Sequence, residues 1–328
     1  MSPRTPDVLA RSPFAMAAAA LSAPSSFAAA AAALTEPHVV RPRVLFYGGG
    51  VDSFAMLLDA AERGELPDVC VFADVADPAH EDPGEWPGTY QHIREVVEPL
   101  CARLGVEFIT LDTTAYPVRG SRSLFAWMEE RGQIPVAGPN RICTIIAKVE
   151  RCERWMDDRY GGQDVDAWVG FEAGEEGRAA FDPNAGRRRT VKPGQARRHN
   201  RFPLIERGVC RCRAEALVRR LGYPVPRKSA CTFCMYGSRG DWQTFARELP
   251  DDFARTVALE ANKPETGRGK KLSIMGYRTL PDGSYRAPPL PMYVAQPYRP
   301  RRMPCLVCGA AERASKATGC GYLDEENG

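Results

Sequence analysis

The sequence predicts an α/β fold, a doubly wound and mostly parallel sheet followed by a cysteine-bearing helical extension. Short apolar runs alternate with helical patterns from residue 43 to about residue 171, and this alternation is typical of parallel strands joined by right-handed crossovers. Glycines follow two of the helical patterns, at Gly64 and Gly105, where they would end helices. The 328 residues are 44% hydrophobic and 26% charged, which is ordinary for a soluble globular protein.

Each element rests on its own pattern. Buried strands are predicted at 44–47, 69–73, 106–111 and 167–171, where apolar residues run almost without interruption. Apolar stripes at helical spacing predict three helices between them. The stripes are Phe54, Leu57, Leu58 and Ala61; Ile93, Val96, Val97, Leu100 and Leu104; and Ile145, Val149, Cys152 and Met156.

The chain is predicted to have four parts. Residues 1–40 are rich in alanine and broken by Pro24, which predicts a disordered or targeting extension, too weakly apolar to span a bilayer. Residues 41–185 form the sheet domain, 186–261 a basic subdomain that contains cysteines, and 262–328 a Pro/Gly-rich tail with a CxxC pair. We expect a cytoplasmic protein without a membrane partner.

Charge is concentrated in one block. The net charge is only +3, yet residues 186–228 hold fourteen Lys or Arg against two acids, Glu206 and Glu215. Such a block is either a solvated loop or a docking surface for phosphates. The side chains that could clamp an extra nucleotide phosphate or follow a nucleic-acid backbone are Arg187, Arg188, Arg189, Lys192, Arg197, Arg198 and Arg201. Aromatic residues are sparse there, which does not support stacking on bases.

A glycine triplet stands between the first strand and the first helix, in the stretch VLFYGGGVDS at 44–53. Glycines let backbone N–H groups approach an anion, and the start of a helix adds unpaired donors. Asp52 and Ser53 could cap that helix or hold a metal near phosphates. The alternative is a tight turn with Asp52 or Ser53 as the N-cap. The stretch matches neither GxxxxGK[ST] nor GxGxxG.

The GGGVDS loop resembles the SGGxDS signature of the PP-loop, or adenine nucleotide alpha-hydrolase-like, superfamily. Tyr47-Gly48 stands where a serine usually begins the motif, as in the phosphoadenosine phosphosulfate (PAPS) reductase-like branch. Further segments between residues 43 and 260 are similar to that branch in order and spacing. They are Phe72-Ala73-Asp74, His80-Glu81 to Tyr90, Arg141-Ile142-Cys143-Thr144 with Lys148, Lys228-Ser229-Ala230-Cys231-Thr232-Phe233-Cys234, Asp241-Trp242 and Leu249-Pro250.

The resemblance implies a Rossmann-like PP-loop domain that binds ATP or PAPS, with Mg²⁺ expected beside the phosphates. The implied nucleotide site consists of Tyr47, Gly48, Gly49, Gly50, Val51, Asp52, Ser53, Phe72, Ala73, Asp74 and Arg141. Catalytic roles are implied for Asp52, Lys148 and Cys320. The E-C-G-[IL]-H element that carries the attacking cysteine of soluble PAPS reductases is missing, and Cys320 is its nearest analogue by position.

Several of the eleven cysteines come in pairs. Cys231 and Cys234 are spaced to bind one metal or to form a redox disulfide. The resemblance adds Cys143, and either Cys210 or Cys212 as the fourth ligand. The predicted set is therefore Cys143, Cys212, Cys231 and Cys234, holding a [4Fe–4S] cluster in preference to zinc. Cys70, Cys101 and Cys152 are expected to be buried thiols.

A further pair, Cys305 and Cys308, stands near Cys320 in the tail. These three residues predict either a zinc knuckle completed from elsewhere in the chain or a flexible tail with a reducible pair.

The predicted function is a PAPS reductase-like oxidoreductase or sulfurtransferase that works with a thiol electron donor. One alternative is an ATP-pyrophosphatase that adenylates and thiolates a nucleic acid, as in DNA phosphorothioation or tRNA modification. The other is a nucleotide-binding module without catalytic activity.

Overall fold

The computed structural model describes residues 41–76, 81–132, 141–180, 192–261, 274, 288–299, 301–303, 305, 307–308 and 322–324. The extension predicted at 1–40 lies outside these residues. Five parallel strands form one sheet in the order β3-β2-β1-β4-β5, which confirms the α/β fold class. The strands are β1 Arg43–Phe46, β2 Val69–Ala73, β3 Glu107–Leu111, β4 Asp164–Val169 and β5 Arg197–Arg201, with an antiparallel pair of β6 Arg301–Met303 and β7 Tyr322–Asp324.

Helices connect the strands and build the extension. They are α1 Val51–Arg63, α2 Pro87–His92, α3 Glu98–Leu104, α4 Leu124–Arg131, α5 Ile142–Thr144, α6 Glu150–Tyr160, α7 Glu176–Ala180, α8 Pro203–Glu206, α9 Arg211–Arg220, α10 Arg239–Glu248, α11 Pro250–Ala261 and α12 Leu290–Val294. Two π-helical turns, Ile93–Val97 and Ile145–Val149, join α2 to α3 and α5 to α6. None of the described helices combines the length and the apolar character that crossing a lipid bilayer requires.

The sheet is covered on both faces, which makes the fold doubly wound. Alternate strand residues point to opposite faces. Leu45, Cys70 and Phe72 pack with α1, the first π-helical turn and α9, whereas Val44 and Val71 pack with α6. Burial on both faces explains why these strands read as continuous apolar runs.

The strand order reverses beside β1. The chain runs from β1 to β2 and β3 on one side, and β4 and β5 lie on the other side of β1. The carboxyl ends of β1 and β4 therefore border the crevice where open α/β sheets bind ligands. The glycine triplet leaves β1 at this point.

The edge strand β5 was missed from the sequence because its residues, RRHNR, are polar. It pairs with β4, and two of its side chains reach an acid of that strand. His199 Nε2 lies 2.9 Å and Arg197 Nη1 3.3 Å from Asp164 Oδ1. The sheet thus extends beyond the domain boundary expected at residue 185.

The helical extension shares an apolar core with residues of the sheet domain, among them Leu124, Phe125 and Ile146. A capping box begins α10, in which Ser238 and Asp241 exchange hydrogen bonds, and Trp242 and Phe245 on this helix are buried. They pack with Phe233 and other residues around the CTFC segment, 231–234. This core holds the cysteine-bearing segment against the sheet domain.

Stability should fall on acidification because of His92. The ring is buried edge-on against Phe54, with centroids 4.9 Å apart, and its Nε2 atom has no hydrogen-bond partner. Burial lowers the pKa of His92 in the folded chain. The unfolded chain therefore binds a proton on His92 more readily than the folded chain does. The unfolding free energy should decrease as pH falls below about 6.5, the pKa of histidine in the unfolded chain.

Urea unfolding between neutral and mildly acidic pH measures this effect. His92→Phe should flatten the pH dependence of the unfolding free energy over this range. An unchanged slope in His92→Phe would contradict the assignment.

Candidate functional site

The glycine loop, residues 47–50, has a backbone shape that requires glycine. Gly49 has φ +80°, a conformation that other residues rarely adopt. A Cβ atom there would lie 2.7 Å from Thr89 Cγ2, and one on Gly50 would lie 3.3 Å from Ser229 Cβ. The bare backbone lets the loop pass between neighbouring segments.

Ser53 stabilises the glycine loop through two hydrogen bonds to its backbone. Its Oγ accepts a hydrogen bond from Gly48 N and donates one to Gly50 O, both at 3.1 Å. Gly50 is the N-cap of α1 and supplies no side-chain cap, so the alternative with Asp52 or Ser53 as the N-cap is wrong. The start of α1 is left with the backbone donors and the positive dipole end that favour an anion.

Asp52 lies in the first turn of α1 and faces Arg211 at the start of α9. Arg211 Nη1 donates to Asp52 Oδ2 at 3.0 Å, and Asp52 Oδ1 is buried without a hydrogen-bond partner. Burial raises the pKa of Asp52, although Arg211 opposes the shift. An ionised carboxylate with one unsatisfied oxygen is a suitable ligand for a divalent cation.

The end of β4 and the segment after Lys228 close around the glycine loop. A Cβ on Gly170 would lie 3.1 Å from Ser53 N, so β4 passes directly beside the start of α1. Ser229 Oγ donates a hydrogen bond to Gly48 O. The Lys228–Cys234 element predicted from the sequence therefore touches the glycine loop.

The last residues of β2 and Asp74, which follows them, support the edge of the crevice. Phe72 and Ala73 are buried in the core, and Asp74 Oδ1 accepts hydrogen bonds from Tyr90 Oη at 2.7 Å and Ala76 N at 3.1 Å. Burial raises the pKa of Asp74, and these hydrogen bonds oppose the shift. The nucleoside-binding role of these three residues stays a prediction.

Buried Arg151 ties this edge together through backbone carbonyls. Its guanidinium donates to Asp74 O, to Leu111 O at 2.6 Å and to Ala147 O at 3.0 Å. The ends of β2 and β3 are thereby fixed to the helix that comes after Lys148.

Three of the predicted metal ligands lie in one region. Cys143, Cys231 and Cys234 are half-buried and close enough to affect one another's ionisation. Burial raises the pKa of all three thiols, that of Cys234 to about 11. Without a metal these thiols stay protonated at neutral pH.

A buried ion pair borders these thiols. Lys148 Nζ lies 2.8 Å from Glu85 Oε1, and the Glu85 side chain is fully buried. Burial lowers the pKa of Lys148, but Glu85 and the neighbouring Cys231 outweigh this and raise it. Lys148 is therefore a fixed positive charge beside the thiols.

A small pocket opens at the same place. It is lined by residues of the CTFC segment and of α10, together with Trp86 and Lys228.

Arg141, which the resemblance places in the nucleotide site, lies close in sequence to Cys143. Its guanidinium stacks on Tyr236, 4.3 Å from the ring centroid.

The fourth predicted metal ligand belongs to a different group. The Sγ atoms of Cys210, Cys212, Cys305 and Cys308 all lie within 4.8 Å of one another, and such a group could bind a metal. Among the described residues, this is the only cluster of three or more His, Cys, Asp or Glu ligand atoms at that spacing. The predicted set is thus divided, with Cys212 in this four-cysteine group. Cys320 lies outside the described residues.

Much of the basic block is neutralised within the chain. Arg187, Arg188 and Arg189 lie outside the described residues, and several of the later arginines pair with acids of the sheet domain or of their own segment. These pairs are Arg197–Asp164, Arg201–Glu206, Arg207–Asp59, Arg207–Glu65, Arg211–Asp52, Arg219–Glu215 and Arg220–Glu62. In its described residues the block is thus largely paired with acids of the chain, and its role as a docking surface for phosphates stays a prediction.

Glu85 and Arg211 were missed from the sequence. Nothing in the pattern around Glu85 indicated that it meets Lys148 across 63 positions. Arg211 carried one signal, because it stands between Cys210 and Cys212.

Comparison with known proteins gives a distant structural similarity. No family model and no curated protein matches the chain. Among solved structures, the chain is similar to phosphoadenylyl-sulfate (PAPS) reductase from Candida auris in a phosphate complex. The TM-score is 0.35 at 12% identity, over 65% of this chain and 87% of that chain. A similarity this distant leaves the function of the chain to be inferred from its own residues.

Proposed function

We propose that this chain is a PAPS reductase-like enzyme that binds an adenine nucleotide on the glycine loop and carries out sulfur reduction or transfer. The observation that carries the proposal is that the glycine loop and the Lys228–Cys234 element meet beside β1, where the strand order reverses. Ser229, two residues before Cys231, binds the glycine loop directly. An anion at the start of α1 would thus lie next to the element that carries the thiols.

The charges around the crevice suit a phosphorylated substrate. The N–H groups of the glycine loop and of the first turn of α1 would bind phosphates, and Lys148 adds a fixed positive charge near the thiols. In the reductase reaction a thiolate attacks the sulfur of PAPS and expels adenosine bisphosphate. A dithiol donor then releases sulfite from the thiosulfonate. Cys320 stays the predicted attacking residue.

The thiols near Lys148 would also fit a metal centre. Cys143, Cys231 and Cys234 could hold a [4Fe–4S] cluster or zinc, which would supply redox or Lewis-acid chemistry when bound. A fourth ligand would come from outside the four-cysteine group, because Cys212 is placed there. Metal binding would deprotonate these buried thiols.

A second function, adenylation by an ATP-pyrophosphatase, is favoured by the unsatisfied oxygen of Asp52. Asp52 Oδ1 could bind the Mg²⁺ that accompanies ATP. In that reaction an acceptor oxygen attacks the α-phosphate and expels pyrophosphate, and a sulfur nucleophile then displaces AMP.

Product analysis separates these functions. Protein purified without oxygen is incubated with ATP and, in parallel, with PAPS plus a dithiol, and the nucleotides are identified by mass spectrometry. We expect sulfite and adenosine bisphosphate from PAPS. AMP and pyrophosphate from ATP would instead support adenylation, and a rate increase with DNA or RNA would identify the acceptor. Nucleotide binding without either product would support a non-catalytic module. Absence of nucleotide binding would overturn the proposal.

A further inference from the structure

We propose that Cys210, Cys212, Cys305 and Cys308 form a structural zinc site that fastens the C-terminal segment to the start of α9. This four-cysteine group is separate from the thiols near Lys148. This proposal does not depend on the proposed function, since the metal bound by the four-cysteine group is measured without a nucleotide.

The distances fit a single ion. The four Sγ atoms lie within 4.8 Å of one another. Tetrahedral zinc with bonds of about 2.3 Å places its thiolates about 3.8 Å apart. In a [4Fe–4S] cluster each cysteine binds a different iron, so the thiolates lie farther apart. The observed spacing therefore favours one mononuclear ion.

The burial of the group also indicates a ligand. Cys210, Cys212 and Cys305 are 0%, 6% and 2% exposed, and Cys308 is half-buried. The apolar cluster around them consists of these four cysteines alone, with no aliphatic or aromatic side chain among its described members. Thiols that served only as core residues would be packed against such side chains. Four thiols gathered from two distant segments fit a metal site better.

The ligands come from two segments that are distant in the sequence. Cys210 is the N-cap of α9 and Cys212 lies in its first turn, and this helix packs on α1 through Ala214 and Val218. Cys305 and Cys308 have the C-x₂-C spacing that lets one turn supply two ligands. None of these four cysteines forms a disulfide in the structure.

The location gives the site a structural role beside the crevice. Arg211, between two of the ligands, is the partner of Asp52. A Cβ on Gly174, after β4, would lie 3.0 Å from Val307 Cγ2 between the other two ligands. Zinc would join Cys305 and Cys308 to α9, beside the loop that follows β4, and would hold Arg211 against Asp52.

Metal analysis of the full chain tests the proposal. Protein purified without chelator should contain about one zinc ion per chain in this four-cysteine group. Cys308→Ser, at the half-buried ligand, should lower the total zinc content by about one ion per chain after dialysis, whichever metal the thiols near Lys148 hold. Cys152→Ala removes a buried thiol outside both groups and should retain zinc. Circular dichroism confirms that each variant is folded.

Thiol protection gives a readout that does not require a variant. Alkylation and peptide mapping of the native chain should show the four cysteines protected, and a zinc chelator should make them reactive. Substitution with Co²⁺ should give the absorption of a tetrahedral tetrathiolate centre. Disulfides among these cysteines, an iron–sulfur chromophore lost in Cys308→Ser, or a total zinc content that is the same in Cys308→Ser as in the unsubstituted chain would each overturn the proposal.

Discussion

Asp52→Ala should lower the rate of nucleotide turnover by at least about 100-fold, because the substitution removes the charged group at the start of α1. Either proposed reaction places phosphates beside this carboxylate. Asp52 Oδ1 is buried without a hydrogen-bond partner, so the proposed reactions leave it available to the Mg²⁺ that accompanies the phosphates. Single-turnover measurements with the active nucleotide test this expectation.

The same substitution should leave stability almost unchanged or raise it, because Arg211 keeps Glu215 as a partner. Burial raises the pKa of Asp52, which means that the folded chain disfavours its charged form. Loss of activity without loss of the unfolding free energy is the signature of a residue kept for function. A large fall in stability would show that the pair with Arg211 is structural instead.

Glu62→Ala is the matched control. Glu62 also lies on α1 and pairs with an arginine of α9, Arg220, at 2.6 Å, but it lies at the far end of the helix from the glycine loop. Its removal should leave turnover unchanged. Equal losses in the two variants would mean that the contact between α1 and α9, and not the carboxylate of Asp52, supports the activity.

The strands that could be predicted from the sequence are those whose burial on both faces makes their residues almost entirely apolar. β2 was predicted with its observed bounds, and β1, β3 and β4 within a few residues, since strands buried on both faces are continuous apolar runs. β5 is an edge strand, and its polar residues gave no such signal. Gly64 and Gly105 end their helices at φ +69°, as their positions predicted.

The candidate site was predictable only where local sequence determines it. The glycine loop depends on consecutive residues, and its place after β1 could be read from the pattern. Cysteine spacing indicated pairs, but not which pairs meet in space. Cys212 joined Cys305 and Cys308 because α9 and the C-terminal turn approach each other, and no local pattern encodes that approach. Glu85 meets Lys148 for the same kind of reason.

Removing the charge of Glu85 while Lys148 keeps its own should strongly destabilise the folded chain. Glu85→Gln leaves the ammonium of Lys148 without its partner, and we expect a loss of about 2–4 kcal/mol in the unfolding free energy. The lower part of this range allows for Lys148, whose side chain is 31% exposed. Chemical denaturation measures the change.

The double variant Glu85→Gln/Lys148→Met separates the pair from its individual members. If the loss in Glu85→Gln comes from an uncompensated charge, removing that charge should recover much of the stability. Glu107→Gln, which breaks the exposed pair with Arg159, should have little effect. Recovery of stability in the double variant without recovery of turnover would show that Lys148 serves the thiols beside it. A double variant as unstable as Glu85→Gln would mean instead that the Glu85 carboxylate stabilises this edge independently of Lys148.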